Sequence, residues 1–177
     1  FLIFKILFFN WPLAILITAI AALGVLQLYS VAGGSFTPWA SPQIKRFILG
    51  FLLMLLVGMM PIWFWRSVSS LAYLGALGLL LFVEFFGAVG MGAKRWIDLG
   101  FMNLQPSEVM KIALIMAIAS YYDWLPLEKT SKIIWVILPA AIILLPAALV
   151  LRQPDLGTAI LLTLGGAVVM FLAGVHW

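Results

Sequence analysis

The chain has no cysteine. That excludes, within it, a disulfide framework, a thiol nucleophile and any Cys-based metal site. There is one histidine, His176, close to the end. A lone imidazole there reads as an interfacial residue rather than a metal ligand. Charge is scarce too: Asp, Glu, Lys and Arg make up 9% of the 177 residues, against about 25% in a soluble domain. Hydrophobic residues make up 66%, and the mean hydropathy is +1.21. A chain this poor in charge is an integral membrane protein. No signal peptide is legible: residues 1–9 carry only Lys5 and lack a small-residue cleavage site before the first long apolar run. No linker or low-complexity stretch marks a boundary, so residues 1–177 read as one transmembrane helical domain. The chain opens on Phe1 and stops at Trp177 beside an apolar segment, which predicts a piece of a longer protein.

Every backbone polar group must be satisfied inside hydrocarbon, so helices are expected to do the spanning. The reading is an all-α polytopic membrane protein with about six transmembrane helices of ~20 residues each. A short interfacial helix over residues 1–10 comes first, broken by Asn10-Trp11-Pro12. The spans are expected at 12–31, 43–60, 71–89, 106–122, 133–151 and 158–174. Residues 32–42 read as a loop and 61–67 as a tight turn holding two interfacial Trp, Trp63 and Trp65. Pro139 and Pro146 fall inside the fifth span, where neighbouring helices must take up the freed carbonyls. Glu84 stands alone inside the third.

The longest polar interruption is residues 91–108, and the other segments read as what carries it to one side of a membrane. It holds the adjacent cations Lys94 and Arg95, then Trp96 and Asp98, and ends in Gln105-Pro106-Ser107-Glu108. That ending reads as a helix start, with Pro in the first turn and an early acid complementing the helix dipole. Lys111 follows Glu108 by three residues, so the two charges share a helix face. A salt bridge and a substrate contact are equally good readings of that pair.

Alternating spans put Lys5, Arg66, Lys129 and Lys132 on one face, and Lys45, Arg46, Lys94, Arg95 and Arg152 on the other. Four against five does not choose an orientation by the positive-inside rule. The second face also carries two apparent helix starts, Gln105-Pro106 and Gln153-Pro154. Helix N-termini and cations together make an anion site, for instance for a phosphate.

Three motifs stand in order along the chain. They are Gly92-Ala93-Lys94-Arg95-Trp96-Ile97-Asp98-Leu99-Gly100, then Gln105-Pro106-Ser107-Glu108 with Lys111, then Gln153-Pro154-Asp155-Leu156-Gly157-Thr158. Together they resemble the SEDS family (shape, elongation, division and sporulation). Leu28-Tyr29-Ser30-Val31-Ala32-Gly33-Gly34 and Pro38-Trp39-Ala40 fit its rod-shape-determining branch better than its division branch.

The resemblance implies a peptidoglycan glycosyltransferase of the bacterial inner membrane. Such an enzyme polymerises lipid II on the extracytoplasmic face beside a class B penicillin-binding protein. No nucleic-acid partner is expected. The family's proposed catalytic Asp belongs to a later loop, beyond Trp177, so neither Asp98 nor Asp155 takes that role. Glycosyl transfer from a polyprenyl-pyrophosphate sugar needs a base for the acceptor hydroxyl and positive charge on the departing pyrophosphate. Lys94, Arg95, Trp96, Glu108, Lys111 and Arg152 are the candidate substrate-binding residues. Against that stand surface anchoring for Lys94 and Arg95 and an aromatic-belt role for Trp96. Gln105, Pro106, Pro154, Asp155 and Gly157 read as structural, with Gly157 admitting a close helix contact. No metal cage is legible, and a divalent ion shared with the pyrophosphate would leave little trace in sequence. The rival functions are a transporter of lipid-linked precursors and a non-catalytic scaffold.

Overall fold

The computed structural model describes residues 9–86, 88–90, 93–98 and 103–176. The interfacial helix expected at the start lies almost wholly outside those residues. The chain divides into two compact units, residues 1–61 and 62–177.

The first unit is a helical hairpin, α1 (Trp11–Val31) and α2 (Ala40–Met59). Asn10 caps α1, its Oδ1 accepting from the Leu13 amide at 3.2 Å, with Pro12 in the first turn. The helix ends where Gly33 and Gly34 turn the backbone through positive φ, 67° and 86°. Thr18 returns its hydroxyl to the Ala14 carbonyl, so no polar atom of that side chain faces lipid unpaired. Only Ala14 and Ala40 are buried in these two helices. α1 is apolar on every side and α2 is so beyond Lys45 and Arg46 in its first turns, which suits hydrocarbon. α2 starts at Ala40 rather than near Gln43 because Pro42 is accommodated within its first turn.

The second unit is a bundle of α3 (Ile62–Phe86), α4 (Pro106–Trp124), α5 (Ile133–Arg152) and α6 (Leu156–Leu172). The turn expected at 61–67 is instead the first turn of α3. Pro61 sets the start, and nothing between Ile62 and Phe86 breaks a helix. At 25 residues α3 is about 37 Å long, more than a ~30 Å hydrocarbon core needs. Glu84 therefore lies in the last turn of α3, not deep within it. α1, α2, α3 and α5 are each long and apolar enough to cross a membrane. α4 carries Glu108 and Lys111 near one end and Asp123 at the other. α6 has 17 residues, about 26 Å.

The bundle core is an i, i+4 stripe on α4 (Met110, Leu114, Ile118, Tyr122) packed with Tyr73, Ala76 and Leu80 of α3, Ile143 and Val150 of α5, and Leu162 of α6. The close helix approach expected at Gly157 occurs elsewhere. A Cβ on Gly157 would meet only Asp155 Oδ1, at 3.9 Å, whereas one on Gly166 would strike Ile143 Cγ1 at 2.5 Å. Gly166 sits mid-helix against α5, where the two backbones converge. Gly157 is itself exposed, in the first turn of α6.

The two prolines of α5 have specific partners. Pro146 has no N–H for the Ile142 carbonyl, and Pro139 has none for Trp135. Tyr73 of α3 donates its hydroxyl to Ile142 O, and Tyr121 of α4 donates to Trp135 O, each at 2.9 Å. Both freed carbonyls are thus met by tyrosines from neighbouring helices.

At one end of the bundle, Arg66 pairs with Asp123 at 2.8 Å. At that same end Ser131 donates to Gly174 O and accepts from the His176 amide, each at 3.0 Å. At the other end are three short strands, β1 (Ala88–Gly90), where the end of the third span was expected, and β2 (Ala93–Asp98) and β3 (Asn103–Leu104) within the polar stretch. They make an antiparallel sheet in that order, with Ala88 opposite Trp96, Val89 opposite Lys94, and Ile97 opposite Leu104. The sheet sits between the end of α3 and the start of α4, clear of the spans, so strand pairing there does not conflict with helical crossing.

Candidate functional site

The site is the sheet end of the bundle, where β2 meets the start of α4 and the α5–α6 corner. Arg95 makes that junction. Its Nε donates to Gln153 O at 2.7 Å and one Nη to Pro154 O at 2.6 Å. These carbonyls close α5, whose C-terminus carries partial negative charge, so a guanidinium is favoured there. A guanidinium has five N–H donors, and this contact uses two.

Gln153-Pro154 is thus not a helix start. Gln153 closes α5, and its side chain turns inward, Nε2 donating to the Leu80 carbonyl of α3 at 3.4 Å. α6 begins at Leu156, with Asp155 as its cap. Asp155 Oδ1 accepts from the Thr158 amide at 3.1 Å, and Oδ2 accepts from the Thr158 hydroxyl at 2.8 Å. Gln105 Nε2 reaches Asp155 Oδ2 at 3.5 Å, joining the start of α4 to the start of α6. A carboxylate of the chain itself therefore fills the α6 N-terminus, and of the two helix starts at this end α4 is the one without a side-chain cap. Two open helix N-termini were expected here, and one is found.

The remaining candidates fall around this junction. Pro106 is the buried first residue of α4. Glu108 and Lys111 form a pair in its first two turns, Nζ lying 2.8 Å from each carboxylate oxygen. The pair is at the surface of this bundle, with Glu108 58% and Lys111 30% exposed in their side chains. Arg152, in the last turn of α5, is exposed and has no partner among the described residues. It does not reach Asp155, whose oxygens Thr158 and Gln105 occupy. Trp96 on β2 is 38% exposed and likewise without a partner among them. Lys94 is placed on β2 by its backbone, beside Arg95, and its side chain lies outside the description. Among the described residues no three of His, Cys, Asp and Glu stand together to hold a metal.

Two members of the junction were not anticipated as site residues, Gln153 and Thr158. Thr158 was legible: an Asp three residues before a Thr at the head of an apolar run is a capping pattern. For Gln153 there was no local signal, because its partner lies 73 residues away.

Comparison with known proteins bears on this arrangement. Residues 3–177 match the model of the cell cycle protein family that takes in FtsW, RodA and SpoVE. The chain belongs to that family. The peptidoglycan glycosyltransferase MrdB of Escherichia coli (strain K12) is 32% identical over 163 residues, which is 92% of this chain and 43% of MrdB. The probable peptidoglycan glycosyltransferase FtsW of Tolumonas auensis is 38% identical over 134 residues, 73% of this chain and 35% of that protein. Among solved structures, a chain of a peptidoglycan synthase complex that coordinates polymerization and crosslinking superposes with a TM-score of 0.83 at 32% identity. That match covers 95% of this chain and 48% of the other. The rod shape determining protein RodA of Thermus thermophilus gives 0.80 at 31% identity, over 97% of this chain and 56% of RodA. The chain thus spans less than half the length of the curated relatives it matches. It is a multi-pass membrane protein of the SEDS type.

Proposed function

We propose that the protein carrying this chain is a peptidoglycan glycosyltransferase that polymerises lipid II for cell elongation. On this reading residues 1–177 are one part of its transmembrane domain, and the sheet end holds the lipid-linked pyrophosphate on the extracytoplasmic side of the inner membrane. The observation that carries the reading is the grouping at the sheet end. Arg152, without a partner among the described residues, exposed Trp96, the β2 position of Lys94 and the uncapped start of α4 all lie at the end where a bundle of apolar helices stops. A guanidinium suits phosphate oxygens, an indole suits a sugar face or isoprenoid, and a helix start suits an anion. Arg95 acts here as a positioning residue, holding β2 against the α5–α6 corner and so keeping that strand at the site. Glu108 and Lys111 flank the α4 start. The acceptor's base comes from elsewhere in the protein, and a class B penicillin-binding protein is the crosslinking partner. The branch assignment is supported by the likeness to MrdB and RodA, which covers more of the chain than that to FtsW.

Strand synthesis from labelled lipid II by the purified protein with its penicillin-binding partner tests this. Trp96→Ala and Arg152→Ala should each lower polymerisation by about tenfold or more, the equivalent of ~1.4 kcal/mol of transition-state stabilisation. Expression and co-purification should stay normal. Unchanged synthesis by both variants removes the sheet end from the active site. Movement of lipid II between leaflets without chain growth, in the unmodified protein, selects the transporter reading instead.

A further inference from the structure

The opposite end of the bundle has a cleft that the proposed glycosyltransferase site does not use. It lies between the first turn of α3 and the last turns of α4 and encloses about 340 Å³, within the ~300–1,000 Å³ range of small-molecule sites. Its walls are mostly apolar, with Trp63, Trp65, Met116 and Ala119 among them, and it is open on one side. Arg66 and Asp123 line it as well and face each other at 2.8 Å, each more than half exposed. Ile62 opens α3 and Trp124 closes α4, so the cleft is at interfacial depth, where Trp side chains concentrate.

We infer that this cleft is a binding site for an aminophospholipid of the phosphatidylethanolamine type. The argument is charge complementarity. One Nη of Arg66 meets Asp123 Oδ2. That leaves further guanidinium N–H groups for phosphate oxygens and leaves Asp123 Oδ1 as an acceptor. A phosphoethanolamine head carries an anion and a primary ammonium a few atoms apart, the same two charges in opposite sense. An acyl chain fits the apolar walls below. A choline head has no N–H to give Asp123, and a phosphatidylglycerol head carries the phosphate's charge with no ammonium to meet the Asp123 carboxylate.

The intact protein in detergent, mixed with equal amounts of phosphatidylethanolamine, phosphatidylcholine and phosphatidylglycerol of one chain composition, is read by native mass spectrometry. Retained ethanolamine lipid should exceed choline lipid by about fivefold, the ratio one charge-assisted hydrogen bond supports at an exposed site. Asp123→Asn should bring that ratio close to one, and Arg66→Gln should lower retention of both. Ala119→Trp fills the cleft without touching the ion pair and should displace the lipid, which covers the case of either charge variant misfolding. Equal retention of the three lipids by the unmodified protein overturns the inference. So does an ethanolamine preference that survives both Asp123→Asn and Ala119→Trp.

Discussion

Removing one hydroxyl should reveal how α5 tolerates its prolines. Tyr73→Phe deletes the donor to Ile142 O and little else, because the ring stays in a pocket where the residue is 8% exposed. The carbonyl cannot turn to its usual partner, since residue 146 is proline and has no N–H. Interhelical hydrogen bonds in membrane proteins average ~0.6 kcal/mol and reach about 1.7, and a buried acceptor left unmet costs about 1–3 kcal/mol. A carbonyl with no alternative donor belongs in the upper part of the first range, so Tyr73→Phe should cost about 1.5 kcal/mol. Pro146→Ala restores an amide opposite Ile142 O. In that background Tyr73→Phe should cost under about 0.5 kcal/mol, a coupling of roughly 1 kcal/mol between residues on different helices. Tyr121→Phe with Pro139→Ala is the parallel cycle at Trp135 O. Reversible unfolding in mixed micelles, followed by circular dichroism, gives the four free energies of each cycle. Equal cost of Tyr73→Phe with and without Pro146 would refute the reasoning, for the tyrosine would then act through packing and not through the freed carbonyl.

Arg95→Ala should destabilise the protein by about 2 kcal/mol, the range for hydrogen bonds to a charged group, with Arg95→Lys restoring only part because an ammonium cannot present the same fork; the same unfolding assay measures it, and full rescue by Lys would count against the two-carbonyl contact. Asp155→Ala should cost about 1–2 kcal/mol through loss of the α6 cap, while Asp155→Asn, itself a good cap, should cost about half of that or less; thermal unfolding of the pair decides, and equal losses would mean that charge, not capping, matters. Glu108→Ala and Lys111→Ala should show a coupling of about 0.2–1 kcal/mol in a double-mutant cycle, as befits an exposed pair; simple additivity would dissolve the pair.

The sequence by itself determined the class of this protein and the order of its helices. Hydropathy is a local quantity: a run such as residues 133–151 is excluded from water whatever surrounds it. Helix ends marked by residues that act on their own backbone were legible for the same reason, as at Pro106. So was the general need of the α5 prolines for outside donors, because a missing N–H is written in the residue itself. The three ordered motifs disclosed the family.

Tertiary structure alone decided the partners that are distant in the chain. Tyr73 and Ile142 are 69 residues apart, and Arg95 and Gln153 are 58 apart. No local pattern states that a guanidinium beside Trp96 will close α5, or that Gly166 will be the close-packing glycine and Gly157 the open one. The small sheet depended on the bundle too. Two- and three-residue strands such as β3 and β1 are too short to persist alone. They form here because α3 and α4 hold their ends and Arg95 ties β2 to the neighbouring corner. Burial and backbone accounting are set by one residue and its solvent, so a sequence carries them. The choice of which distant group meets an unmatched donor or acceptor is set by packing, and exists only once the helices have met.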